Sequence, residues 1–215
     1  MNNIMGRNFV AIQDNLLTKK ECADAIQWIL DNDDIIKDPN YMYSQYHFCN
    51  LYLNDRFYKD IKTTDPCRVK GKSFAEAFSP LPLRPLINAI LELKELYQRK
   101  YPEVERVDTW DLEYVRFKWW KPGEFYHAWH SEHGVGLGAG ALKTPQLRVL
   151  SFLICLSDND SYTEFRRYRN VRTRAGRGII FPAYHTHEHR GSLCKKALDR
   201  YMLGGYFSFL TDGLS

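Results

Sequence analysis

The sequence predicts a mainly β protein whose helices are confined to its N-terminal part. Three observations carry that expectation. Apolar residues recur at helical spacing in two segments before residue 107, β-type alternation dominates 108–120, and three further strand-like runs follow residue 147. At 215 residues the chain suits one domain, with a helical support region over 1–107 and a β core over 108–210.

The elements follow in order. A short apolar run, Phe9-Val10-Ala11-Ile12, precedes a helix signal in which Thr18 and Glu21 form a capping box. Cys22, Ile26, Ile29 and Leu30 then recur at helical spacing, so 18–31 is predicted as an amphipathic helix. Turn signals at Asp38-Pro39-Asn40 and Asp65-Pro66 punctuate residues 32–80, which show no clear period. A second helix is expected from Pro85, with Leu86, Ile90, Leu93 and Tyr97 on one face and Pro102 past its end. The run DTWDLEYVRFKWW alternates, and KPGE closes it as a turn. Strands are expected at 148–156 (RVLSFLICL), 178–181 (GIIF) and 200–209, the last loosened by the pair Gly204-Gly205. The glycine-rich stretch 134–140 lacks the lysine-serine ending of a phosphate-binding loop and reads as a connector.

Composition excludes several classes. No apolar run is long enough to span a bilayer, and the N-terminus lacks a signal-peptide pattern. Cys22, Cys49, Cys67, Cys155 and Cys194 are odd in number and form no CxxC pair, which argues against a disulfide framework or a zinc ribbon. Reduced thiols and a cytoplasmic location are the expectation. A net charge of +4 is too mild to imply nucleic-acid binding.

Six of the seven histidines fall in two short segments, YHAWHSEH at 126–133 and YHTHEHR at 184–190. Residues two apart on a strand share a face, which pairs His130 with Glu132 and His187 with His189. His127 and His133 differ in parity from His130. An H-x-E pair plus one distant histidine supplies two imidazoles and a carboxylate, the donor set of an open non-haem iron site. A structural zinc site would instead be closed by four ligands. A cupin arrangement would need a further histidine downstream, and none follows His189. Arg200, at the start of the last strand, could hold a carboxylate through two parallel hydrogen bonds.

Taken together, KPGEFYHAWHSE, RVLSFLICLSDND, TEF, GRGIIFPA, THEHRG and RYMLGGYFSF resemble the Fe(II)- and 2-oxoglutarate-dependent dioxygenases. The likeness is to their prolyl-4-hydroxylase-like branch, which includes short virus-encoded members, and it covers about residues 110–210. It implies a double-stranded β-helix, the jelly-roll core also found in cupins. It also implies that His130, Glu132 and His189 bind Fe(II), with His189 preferred over His187 because the family places H-x-G after its last ligand. Arg200 matches the basic residue that pairs with the distal carboxylate of 2-oxoglutarate. The implied activity is hydroxylation of a C–H bond, of a peptidyl residue such as proline, using O2 and releasing succinate and CO2.

Three departures stand out. Glu132 replaces the usual aspartate. Cys155-Leu156-Ser157 stands where a cosubstrate-binding tyrosine, leucine and asparagine are usual, so Trp120 or Tyr126 would have to supply that contact. Ser161-Tyr162 replaces a glycine pair.

The run 166–177 holds six arginines around Tyr168 and reads first as a solvated rim. A nucleic acid could use it, which would make the chain an oxidative nucleic-acid-modifying enzyme. A jelly-roll binding module without turnover is a third class. His127, His133, His185 and His187 are expected in packing or surface roles. Trp110, Trp119, Trp120, Phe125, Tyr126 and Trp129 are expected mostly in the core.

Overall fold

In a computed structural model, which describes residues 8–37, 46–58, 72–106, 110–132, 148–194, 196 and 198–209, the predicted cap opens the first helix. The Thr18 hydroxyl accepts the Glu21 N–H, and the Glu21 carboxylate takes the Thr18 N–H at 2.7 Å, starting α1 (Lys19–Asn32). Two single-turn helices, α2 (Asp55–Tyr58) and α3 (Phe74–Ala77), precede the long α4 (Arg84–Lys100). Cys22, Ala25 and Ile29 of α1 and Leu86, Ile90, Leu93 and Tyr97 of α4 are buried in one cluster with the large sheet. Each buried Leu or Ile contributes roughly 1.5–3 kcal/mol. A cap contributes about 1 kcal/mol, so packing rather than capping holds these helices in place.

The strands are β1 (Ala11–Gln13), β2 (Ile36–Lys37), β3 (His47–Leu53), β4 (Trp110–Trp120), β5 (Arg148–Cys155), β6 (Tyr162–Phe165), β7 (Val171–Arg172), β8 (Gly178–Pro182), β9 (His189–Gly191) and β10 (Arg200–Phe209). Seven form one antiparallel sheet in the order β1-β8-β5-β10-β4-β3-β2, and three form a second in the order β7-β6-β9. One face of the large sheet carries Val115, Phe117, Phe152, Ile154, Leu203 and Phe207 into the helices. The other face carries Trp120, Cys155 and Met202 into a separate cluster with Tyr46 and Phe48.

The N-terminal part is not helical throughout. Phe9–Ile12 leads into β1, an edge strand on β8, and the unassigned stretch contains β3, whose seven residues are all buried. With both faces covered, β3 has no polar side to alternate, which is why it carries no period.

The expected alternation in 108–120 also fails locally. Leu112–Val115 are all buried, because the register shifts from Tyr206↔Tyr114 to Phe207↔Leu112 and leaves Glu113 as an extra residue. Such a bulge re-aims side chains. Leu112 packs towards the helices, while Glu113 turns towards Arg148 and Ser208.

The glycine pair in β10 does not loosen the strand. A Cβ on Gly205 would lie 2.2 Å from the Tyr114 carbonyl oxygen and 2.6 Å from the Phe152 ring. Gly205→Ala is therefore expected to lose about 1–3 kcal/mol through overpacking, read from urea unfolding. An unchanged midpoint would contradict that packing.

At the sheet edge Arg177 forks onto Asp14, at 2.5 and 2.9 Å, tying the residue after β1 to the turn before β8. No helix among the described residues is long and apolar enough to cross a membrane. The predicted turns at 38–40 and 65–66, the 134–140 connector, His133 and Cys67 lie outside the described residues.

Candidate metal centre and the interior around it

Backbone pairing brings the two histidine segments together. His130 donates to the His189 carbonyl at 3.1 Å, His189 donates back at 2.9 Å, and the Glu132 N–H reaches the Ala183 carbonyl at 3.0 Å. Residues directly opposite in such a bridge carry their side chains on the same side. The two imidazole centroids accordingly lie 4.3 Å apart. Parity pairs His130 with Glu132, and these two do converge, although His130 sits in an isolated bridge rather than a strand; its other pair, His187 with His189, does not, because His187 lies in a short 3-10 turn.

The ligand atoms of His130, Glu132 and His189 all lie within 4.8 Å of one another. Glu132 Oε1 is 3.2 Å from His130 Nε2 and 3.5 Å from His189 Nε2. The other ring nitrogens face carbonyls, His130 Nδ1 that of Ala128 at 3.0 Å and His189 Nδ1 that of His187 at 3.1 Å. A carbonyl can only accept, so each Nδ1 carries a hydrogen and each Nε2 is the nitrogen left facing Glu132. Burial lowers the pKa of His189, with His130 adding to the effect. Burial alone would raise the Glu132 carboxyl, but the two imidazoles hold it well below the ordinary range. An ionised carboxylate facing two imidazole nitrogens is a donor set that a metal can take in exchange for the ring protons.

Glu132 presents one oxygen inward because its other oxygen is held. The Tyr206 hydroxyl donates to Oε2 at 2.5 Å, and Arg148 lies 3.8 Å from the same atom. Arg148 also forks onto buried Glu113, at 2.9 and 3.0 Å, and its guanidinium lies over the Tyr206 ring. This bracing gives the longer arm of a glutamate a defined end point.

His187 stands apart. Its Nε2 donates to the Asn8 carbonyl at 2.9 Å, its Nδ1 faces the Thr186 hydroxyl at 2.8 Å, and its ring stacks on Tyr168. Neither nitrogen is left for a metal. His127 and His185 are exposed, His127 against Phe125.

Arg200 is buried, with its Nε unpartnered and its NH2 3.4 Å from the Thr163 hydroxyl. It lies over the Trp120 ring at 5.3 Å. Trp120 stacks on Tyr46, Tyr126 leans on His130 at 4.3 Å, and Cys155 packs in the same cluster. Burial keeps the Cys155 thiol protonated, against the pull of Arg200. Trp110 and Trp119 pack against the helical core as expected, whereas Trp129, beside His130, lies under both Arg166 and Arg190.

Half of the arginine run is engaged within the chain. Arg166 pairs with Glu188, and Arg174 and Arg177 both pair with Asp14. Such surface pairing is what a solvated rim shows.

No protein-family model and no curated protein matches the sequence. Solved structures do match. A viral collagen prolyl hydroxylase from Paramecium bursaria Chlorella virus-1 is 14% identical, covering 97% of this chain and 100% of its own at a TM-score of 0.60. A prolyl hydroxylase from Trichoplax adhaerens, bound to a hypoxia inducible factor peptide, is 8% identical over 94% and 84%, with a TM-score of 0.63. The epimerase SnoN of nogalamycin biosynthesis is 11% identical over 94% and 78%, with a TM-score of 0.58. The fold is that of the 2OG-Fe(II) oxygenases. The jelly-roll expectation is therefore met.

Iron and 2-oxoglutarate fit the residues present. Two imidazoles and a carboxylate converge from one side, and a buried guanidinium with an unpartnered nitrogen waits on the same interior wall. Sequence reasoning missed Tyr206, Arg148, Glu113, Arg116 and Lys118. Parity from Arg200 along β10 reaches Tyr206, and parity from Trp120 along β4 reaches Lys118 and Arg116.

Proposed function

We propose that this chain is an Fe(II)- and 2-oxoglutarate-dependent oxygenase that hydroxylates a C–H bond of a peptidyl residue such as proline. The convergence of three ligand atoms within 4.8 Å carries the reading. His130, Glu132 and His189 would hold the iron. Arg200, with Thr163 beside it, would pair with the distal carboxylate of 2-oxoglutarate, and Trp120, Tyr126 and Cys155 would line its flank. Bound there, iron and 2-oxoglutarate supply oxidation by O2 coupled to release of succinate and CO2.

The protein's own part is positional. Tyr206 and Arg148 fix Glu132, and the two backbone carbonyls fix the histidine tautomers. The Tyr46–Phe48–Trp120–Met202 wall keeps water away from the cosubstrate. Substrate peptides of similar prolyl hydroxylases support a peptide here, and Trp129 with Arg166 and Arg190 offers an extended chain a surface next to His130.

Anaerobic addition of Fe(II) and then 2-oxoglutarate is expected to raise a weak visible charge-transfer band, and admitting O2 should yield succinate. A chain giving neither is not this enzyme. Hydroxylation of a proline-rich peptide, detected by mass, tests the substrate separately.

A further inference from the structure

The inner face of β4 carries more positive charge than the proposed chemistry uses. Arg116, Lys118 and Trp120 alternate along it, opposite Gly204, Met202 and Arg200 of β10. Arg148 enters from β5. The carboxylates Glu113 and Glu132 both pair with Arg148. Glu113 is taken by the Arg148 fork and by Ser208. A divalent metal, Glu132, Arg200 and a dianionic cosubstrate sum to zero charge. Among the described residues Lys118 and Arg116 then remain as two cations without a carboxylate partner.

Their surroundings fit that count. Among the described residues the Lys118 ammonium has no hydrogen bond and no ion pair. Arg116 is held by neutral groups only, the Asn50 side-chain oxygen at 2.8 Å and the Tyr46 hydroxyl at 3.3 Å, and it lies over the Phe48 ring. Space is kept for the lysine. A Cβ on Gly204 would come within 3.0 Å of Lys118 Nζ and 3.1 Å of its Cε, so the side chain crosses bare backbone of β10. Burial brings the Lys118 ammonium down to about 8; Glu132 opposes this, while Arg116, Arg148 and Arg200 add to it. A cation so placed destabilises the empty protein and gains most from an arriving anion.

We propose that Lys118, backed by Arg116, is a second anion subsite, which takes a carboxylate carried by the primary substrate. The inference rests on the oxygenase reading, since it assigns Arg200 to the cosubstrate. Lys118 lies two residues along β4 from the Arg200–Trp120 pair, roughly 7 Å, so one small dianion and a second carboxylate have separate partners. A peptide would meet the requirement with an acidic side chain or its C-terminus.

The test uses the anaerobic Fe(II)–2-oxoglutarate complex with two probes that differ only in charge, N-acetylglycine and N-acetylglycinamide, followed by calorimetry and thermal shift. The wild type is expected to bind the carboxylate at least ~10-fold tighter than the amide, a difference of about 1.4 kcal/mol. Lys118→Met should erase that preference, change 2-oxoglutarate affinity less than about 2-fold, and raise the melting temperature of the ligand-free protein. A carboxylate and amide bound alike by the wild type, or neither bound, overturns the subsite. So does a Lys118→Met protein that loses 2-oxoglutarate or melts lower. The wild-type comparison needs no variant, so a variant that fails to fold leaves the test standing. Failure of the wild type to take up Fe(II) and 2-oxoglutarate counts against the oxygenase reading instead.

Discussion

His189→Ala is expected to abolish Fe(II) binding, while His187→Ala keeps it. The two residues are neighbours in sequence and opposites in chemistry. His189 Nε2 faces Glu132 at 3.5 Å with its Nδ1 hydrogen fixed on a carbonyl. His187 has both nitrogens bonded elsewhere, one to the N-terminal Asn8 carbonyl. Losing an outer partner of a ligand typically costs 10–100-fold in metal affinity, and losing the ligand itself should exceed that. His187→Ala should instead lower stability by about 1–3 kcal/mol, because a buried, hydrogen-bonded ring on Tyr168 is removed. Calorimetric Fe(II) titration beside urea unfolding separates the two effects. Iron lost from a folded His187→Ala protein would reverse the assignment.

Legibility in the sequence followed physical period. The helices announced themselves because one face alone is buried and Thr18-Glu21 closes a cap, and β10 was bounded correctly at 200–209. Strand β3 stayed hidden because both its faces are covered, and β1, β2 and β7 are too short to show any period. The alternation in β4 was visible but invited the wrong inference about sides. Charged residues alternating with apolar ones usually mean a wet face. Here Val115 and Phe117 face the helices, while Arg116 and Lys118 face the interior that holds Glu132. A strand with helices outside and a site inside inverts the usual rule, and single-sequence pattern carries no sign of which side is which. The candidate ligands were easier, since His130-x-Glu132 and His189 stand out in two short histidine-rich segments. The residues that brace them, Tyr206 and Arg148, look like ordinary strand positions until the bulge at Glu113 is known.

That bulge leads to the largest expected effect on stability. Arg148→Ala should destabilise the fold by about 3–5 kcal/mol, because it strands the Glu113 carboxylate in the interior without the guanidinium that forks onto it, although Ser208 still donates to it. The double replacement Glu113→Gln with Arg148→Met should recover most of that loss, since removing both charges also removes their desolvation cost. The metal site should not recover with it. Arg148 donates to the Glu132 carbonyl at 3.4 Å, lies near Oε2, and covers the Tyr206 ring whose hydroxyl holds that oxygen. Fe(II) affinity is therefore expected to stay roughly 10–100-fold down in the double variant while its unfolding midpoint returns. Stability and affinity recovering together would mean that the ion pair serves the fold alone. Affinity lost on a restored fold would mean that the bulge turns Glu113 inward to hold Arg148, and through Arg148 the carboxylate of the metal site.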